Sequence, residues 1–135
     1  MTTRAVLLFL TVIAPFCLLT HPSPAQAAAV RCHVFYGGEE QTVQAQATET
    51  PYAVPTLAIG SFFHFRIVFQ RQPDDLAAIK IYTYTDRNDT RFLIHQATYP
   101  VPPAAHATYG FTGFQSVYEP LRESELQYWC EWRSP

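Results

Sequence analysis

Apolar and polar positions alternate with a period of two along most of the chain, and that period is the signature of half-buried β-strands. Val30, Cys32, Val34 and Tyr36 alternate with Arg31, His33 and Phe35 before Gly37-Gly38 closes the run. Residues 41–48, QTVQAQAT, alternate weakly and are polar enough for an edge strand. In the clearest strand Phe63, Phe65, Ile67 and Phe69 share one face, and His64, Arg66, Val68 and Gln70 share the other. Near the end, Leu126, Tyr128, Cys130 and Trp132 take one face, leaving Glu125, Gln127, Trp129 and Glu131 on the opposite one.

Residues 71–75, with Pro73, predict a turn, after which IKIYTYT (79–85) and RFLIHQAT (91–98) flank Asp86-Arg87-Asn88-Asp89. That arrangement predicts a hairpin with a four-residue loop. Such a loop pairs Thr85 with Thr90, Thr83 with Phe92 and Ile81 with Ile94 on the core side. The opposite face then holds Lys80, Tyr82, Tyr84, Arg91, Leu93 and His95, with Tyr84 across from Arg91 and Tyr82 across from Leu93.

Helical windows are scarce, because eleven prolines interrupt a chain rich in β-branched and aromatic residues. At most one short helix fits, at 74–78 or 119–123. Several short strands with turn residues between them predict an all-β fold, a two-layer antiparallel β-sandwich, Ig-like in architecture. Tyr128-Trp129-Cys130 is similar to the Tyr-x-Cys of the immunoglobulin tyrosine corner over those three residues alone. No further strand fits after Cys130 and the cysteines are spaced more widely than in that family, so Ig-like describes the architecture and assigns no family.

The first 27 residues change the picture of where the fold operates. Arg4, an apolar stretch from Ala5 to about Leu19, and Ala25-Gln26-Ala27 after Pro22 and Pro24 have the form of a cleaved secretory signal peptide. The apolar run is shorter than the roughly 20 residues of a spanning helix and contains Pro15. Residues 28–135 then form a single domain, expected in the periplasm or secreted, with no transmembrane segment after cleavage. Lysine occurs once and asparagine once, a bias that points to a GC-rich bacterial genome.

Removal of the signal takes Cys17 with it and leaves Cys32 and Cys130, which in an oxidising compartment are expected to pair. Both fall on the apolar face of their strands, so the predicted disulfide links the N- and C-terminal strands, across the core or between neighbours. Cys-x-x-Cys spacing, the mark of redox chemistry, is missing.

Charge excludes some partners. The formal net charge of −2 and the absence of a basic cluster argue against nucleic acid. Aromatic side chains beside a cation bury area at little entropic cost, so Tyr82, Tyr84, Arg91 and Leu93 form the candidate binding face, engaging another exported or membrane protein. The alternative is a copper- or zinc-binding protein using surface histidines, with His33, His64, His95 and His106 as candidate ligands; none shows close paired spacing.

Catalysis has little to build on. Ser61 and His64 fall on opposite faces, no Gly-x-Ser-x-Gly turn occurs, and Glu119, Glu123 and Glu125 read as glutamates of a solvated loop. A small hydrolase is thus the third reading, and no cofactor is expected. Asp86-Arg87-Asn88-Asp89-Thr90 lacks the glycine and distal glutamate of a calcium loop. Tyr109, Phe111 and Phe114, punctuated by Gly110 and Gly113, are expected to plug one end of the core.

Overall fold

A computed structural model of the chain describes residues 26–104 and 108–135. The signal-like segment up to residue 25, Cys17 within it, and His106 lie outside the described residues. Among the described residues eight strands follow in order: β1 (Ala29–Tyr36), β2 (Glu39–Gln46), β3 (Leu57–Ile59), β4 (Phe63–Gln70), β5 (Ala78–Arg87), β6 (Thr90–Tyr99), β7 (Gln115–Glu119) and β8 (Ser124–Arg133). They form two four-stranded antiparallel sheets, sheet A in the order β2-β1-β8-β7 and sheet B in the order β3-β4-β5-β6. The two-layer sandwich expected from the alternation is the fold. Single 3-10 turns occupy Pro51–Ala53 and Asp74–Leu76, the second falling in one of the two short helical windows.

The inward positions are those the period-two pattern selects. Phe63, Phe65, Phe69, Ile79 and Ile81 from sheet B meet Val30, Val34, Leu126 and Tyr128 from sheet A, all essentially without exposure. Each such side chain contributes about 1.5–3 kcal/mol relative to exposure. Rings meet edge to face across the interlayer space, Phe65 with Tyr128 at 5.2 Å and Phe69 with Trp132 at 5.2 Å.

Cys32 and Cys130 are bonded, and they stand directly opposite each other in the β1–β8 ladder with Cα atoms 4.0 Å apart. Of the two geometries open to the sequence, the link therefore joins neighbouring strands inside sheet A rather than the two layers. What ties the layers by hydrogen bonds lies elsewhere. Beyond β2, Ala47 bridges Phe69 of β4 and Thr48 N donates to Phe69 O at 2.8 Å, so the chain crosses from the edge strand of sheet A to the end of β4 that the short β3 leaves unpaired in sheet B.

The β5–β6 hairpin corrects the expected register. Its loop is Asn88-Asp89 alone, both residues at positive φ (50° and 60°), and Asp86 and Arg87 extend the ladder against Arg91 and Thr90. A two-residue turn with both central residues left-handed matches the natural strand twist, and Asn and Asp tolerate that backbone best after glycine. Further along, Thr83 pairs with His95 and Tyr84 with Leu93, leaving Ile94 as a bulge. Leu93 thus faces Tyr84 rather than Tyr82, Arg91 faces Asp86 rather than Tyr84, and Tyr82 faces Gln96.

Candidate functional site

On the outer face of sheet B, β4 and β5 alternate so that His64, Arg66 and Val68 stand beside Tyr84, Tyr82 and Lys80. Tyr82 and Tyr84 lie side by side, ring centroids 6.2 Å apart at 22°. The cation over the tyrosine pair is Arg66, its guanidinium 5.5 Å from the Tyr82 centroid, whereas the expected register sets Arg91 across from Tyr84. Arg66 also donates to the carbonyl of Pro51 at 2.6 Å, which draws the 3-10 turn over the sheet and leaves the Tyr52 side chain 97% exposed. A shallow depression bounded by Tyr52, Arg66, Lys80 and Tyr82 results. Burial holds the Tyr82 hydroxyl above its ordinary pKa, with Arg66 opposing the shift.

At the hairpin end, His64 Nε2 donates to Asp86 Oδ2 at 2.6 Å, and Arg91 places Nε 3.6 Å from Asp86 Oδ1 while donating to Thr56 Oγ1 at 2.8 Å. The His64 hydrogen bond, with the charges of His64 and Arg91, holds the Asp86 carboxyl below the ordinary aspartate value. Leu93 completes the face, 49% exposed beside Tyr84. All four side chains of the candidate binding face therefore remain on one surface, in contacts different from those expected.

The histidines are not brought together. His33 lies on the outer face of sheet A, stacked on Trp129 with its Nδ1 donating to Glu40 Oε1 at 2.6 Å, and His64 is held by Asp86, so neither is merely solvated. His95 does not stand on the outer face. The bulge at Ile94 turns it inward, where Nε2 is hydrogen bonded to the Tyr128 hydroxyl at 2.7 Å and burial lowers its pKa. Among the described residues no group of three or more His, Cys, Asp or Glu side chains has the arrangement of a metal site.

Glu119 corrects another expectation. It is fully buried at the end of β7, its carboxylate accepting from Arg87 Nη2 at 2.6 Å and from the Arg122 backbone N–H at 2.8 Å. Burial raises its pKa, but those hydrogen bonds outweigh it and the net shift is downward. Arg122 lies with its guanidinium 4.4 Å from the Phe62 centroid. The carboxylate therefore latches β7 to β5 across the sandwich and presents nothing to a substrate.

The glycine-punctuated bend divides. Phe111 is 5% exposed and meets Tyr99 edge to face at 5.1 Å, so it alone is the plug. Tyr109 and Phe114 fold outward over sheet A, 49% and 43% exposed. What holds the bend is the backbone of β8: Phe111 N donates to Cys130 O at 2.9 Å, and Cys130 N donates to Thr112 Oγ1 at 2.8 Å.

The chain matches no family model, no curated protein and no solved structure at a significant level. No helix among the described residues is long and apolar enough to cross a membrane. The fully buried disulfide fits an oxidising compartment.

Proposed function

We propose that this chain is an exported, non-catalytic binding or accessory module that engages a protein partner through the outer face of sheet B. One observation carries the reading. The adjacent rings of Tyr82 and Tyr84, with the Arg66 guanidinium at 5.5 Å from the Tyr82 centroid, sit between Tyr52 and Leu93, whose side chains are exposed. Two-χ aromatic side chains beside an arginine are the usual anchors of protein interfaces, since they desolvate large area while losing few rotamers. Arg66 is fixed by Pro51 O and Arg91 by Thr56, so ordering the two cations on binding costs little. Export, to the periplasm or beyond, rests on the signal-like first 27 residues together with the disulfide.

A photo-crosslinking amino acid at Leu93, introduced into the chain expressed in its own host, tests the reading. The expected result is a discrete adduct that the same probe at Thr42, on sheet A, fails to give, and that Tyr84→Ala reduces about tenfold. Equal labelling from both positions, or labelling indifferent to Tyr84→Ala in a folded variant, overturns it. The metal-binding alternative gains no support from the separated positions of His33, His64 and His95, and copper or zinc titration is its direct test.

A further inference from the structure

The opposite outer surface, on sheet A, carries a different chemistry. Its rings form a connected row. His33 stacks on Trp129 at 4.0 Å and 7°, Trp129 meets Tyr109 at 6.1 Å, Tyr109 meets Phe114 at 5.1 Å, and Phe114 meets Phe35 at 6.2 Å. At the Phe35 end the row opens onto a groove of about 360 Å³ lined by Phe35, the Gly37-Gly38 turn, Glu39, Glu125 and Gln127. A Cβ added at Gly37 or Gly38 would meet nothing within 4 Å, so the turn leaves that end of the groove open.

We propose that this groove binds a neutral saccharide. A pyranose ring has an apolar C–H face, which an aromatic ring covers, and a rim of hydroxyls that both donate and accept, which carboxylate and amide groups satisfy. Phe35 supplies the ring. Glu125 and Gln127 supply the polar rim, already oriented: Gln127 Nε2 donates to Glu125 Oε1 at 2.6 Å and Ser116 Oγ to the same oxygen at 3.3 Å. That arrangement leaves Glu125 Oε2 and Gln127 Oε1 without a protein partner among the described residues, both free to accept from hydroxyls.

Charge selects the class of sugar. The groove holds Glu39 and Glu125 and no Lys or Arg among its lining residues, so uronates and sulfated sugars are repelled. Size and composition select a sugar over a protein segment. The volume is at the small end of the roughly 300–1,000 Å³ range of small-molecule sites. The outward positions around it, Ser116, Tyr118, Glu125, Gln127, Trp129 and Phe35, offer rings and polar groups but no aliphatic anchor. Tyr109 and Phe114 extend the ring surface for further units of an oligosaccharide.

The test is a titration of the signal-free protein, followed by 1H–15N NMR, with tetrasaccharides of β-1,4-glucose, α-1,4-glucose, β-1,4-N-acetylglucosamine and α-1,4-galacturonate. At least one neutral tetrasaccharide is expected to give saturable shifts centred on Phe35, Gly37, Gly38 and Gln127, and galacturonate none. Phe35→Ala and Gln127→Ala should each weaken binding about tenfold, while Tyr84→Ala on the other sheet leaves it unchanged. Gln127→Ala keeps the core intact, so it decides the matter should Phe35→Ala disturb the fold. Absence of shifts at about 10 mM for every neutral saccharide, or equal binding of galacturonate, overturns the proposal. So does a protein crosslinked through a photoprobe at Phe35 that no neutral saccharide displaces.

Discussion

Replacing Gly110 by alanine, with Gly37→Ala as its control, isolates what the aromatic bend contributes. Both glycines have left-handed backbones, φ +59° at Gly110 and +62° at Gly37, so both variants carry the same conformational penalty. That penalty is about 1 kcal/mol, part of it offset by the reduced freedom of the unfolded chain. Their surroundings differ completely. A Cβ at Gly37 meets open space, whereas one at Gly110 overlaps the carbonyl oxygen of Cys130, a backbone atom that cannot turn aside. The bend must then lift from β8, breaking the Phe111 N–H and Thr112 hydroxyl bonds to Cys130, worth about 1 kcal/mol each. Phe111 leaves its plug position as well, at about 2 kcal/mol for partial exposure. Gly110→Ala is therefore expected to be about 4 kcal/mol less stable than Gly37→Ala, a large part of a small domain's total. Urea unfolding followed by the fluorescence of Trp129 and Trp132 measures the difference. Two variants agreeing within about 0.5 kcal/mol would refute the claim that the bend is seated on the Cys130 backbone.

Other outcomes follow from the same contacts. Cys32→Ala/Cys130→Ala removes a closure spanning 98 residues, which the chain-entropy model values at about 4.7 kcal/mol, so the urea midpoint of the double variant should fall by about 2–4 M. Phe111→Ala, in contrast, should cost about 3–5 kcal/mol while leaving the disulfide intact, as thermal unfolding would register. Burial depresses the His95 pKa below 6.5, so the unfolded chain takes up a proton first as pH falls. Stability is therefore full above pH 6.5 and declines below it, and His95→Gln should flatten that slope between pH 7.5 and 5 in urea titrations. Asp86 and Glu119 are depressed too, so a second acid loss begins below their unfolded values of 3.8 and 4.5. At the alkaline end, burial raises the Tyr128 pKa above 10, and those of Tyr99 and Tyr82 as well, so stability falls as pH rises past that value, and Tyr128→Phe should make this limb shallower without abolishing it.

Long strands with one apolar face were legible because parity alone decides their orientation: β1, β4 and β8 have the inward sets the alternation predicts. Residues 57–59 and 115–119 were not, since strands of three and five residues are too short to show a period. The Ile94 bulge did leave a signal. Phe92 and Ile94 occupy even positions while Ala97 and Tyr99 occupy odd ones, so the apolar parity switches inside a single strand. The burial of Glu119 leaves no local signal, because its partner Arg87 lies 32 residues away and neither alternation nor charge near Glu119 reveals such a pairing. The row of rings on sheet A was hidden for a related reason: Trp129 and Phe35 were visible as outward residues, but Tyr109 and Phe114 reach them only through the Gly110 contact with β8.

The position of the sulfur bridge has a mechanical meaning. Ala29 and Arg133 are ladder partners, and three residues inward Cys32 faces Cys130, so the two ends of the described fold enter and leave side by side. Handles attached there and drawn apart would peel only that short stretch before tension met a covalent stop. The rest of the sandwich, enclosed between the two cysteines, would carry almost none of the load until the bond was reduced.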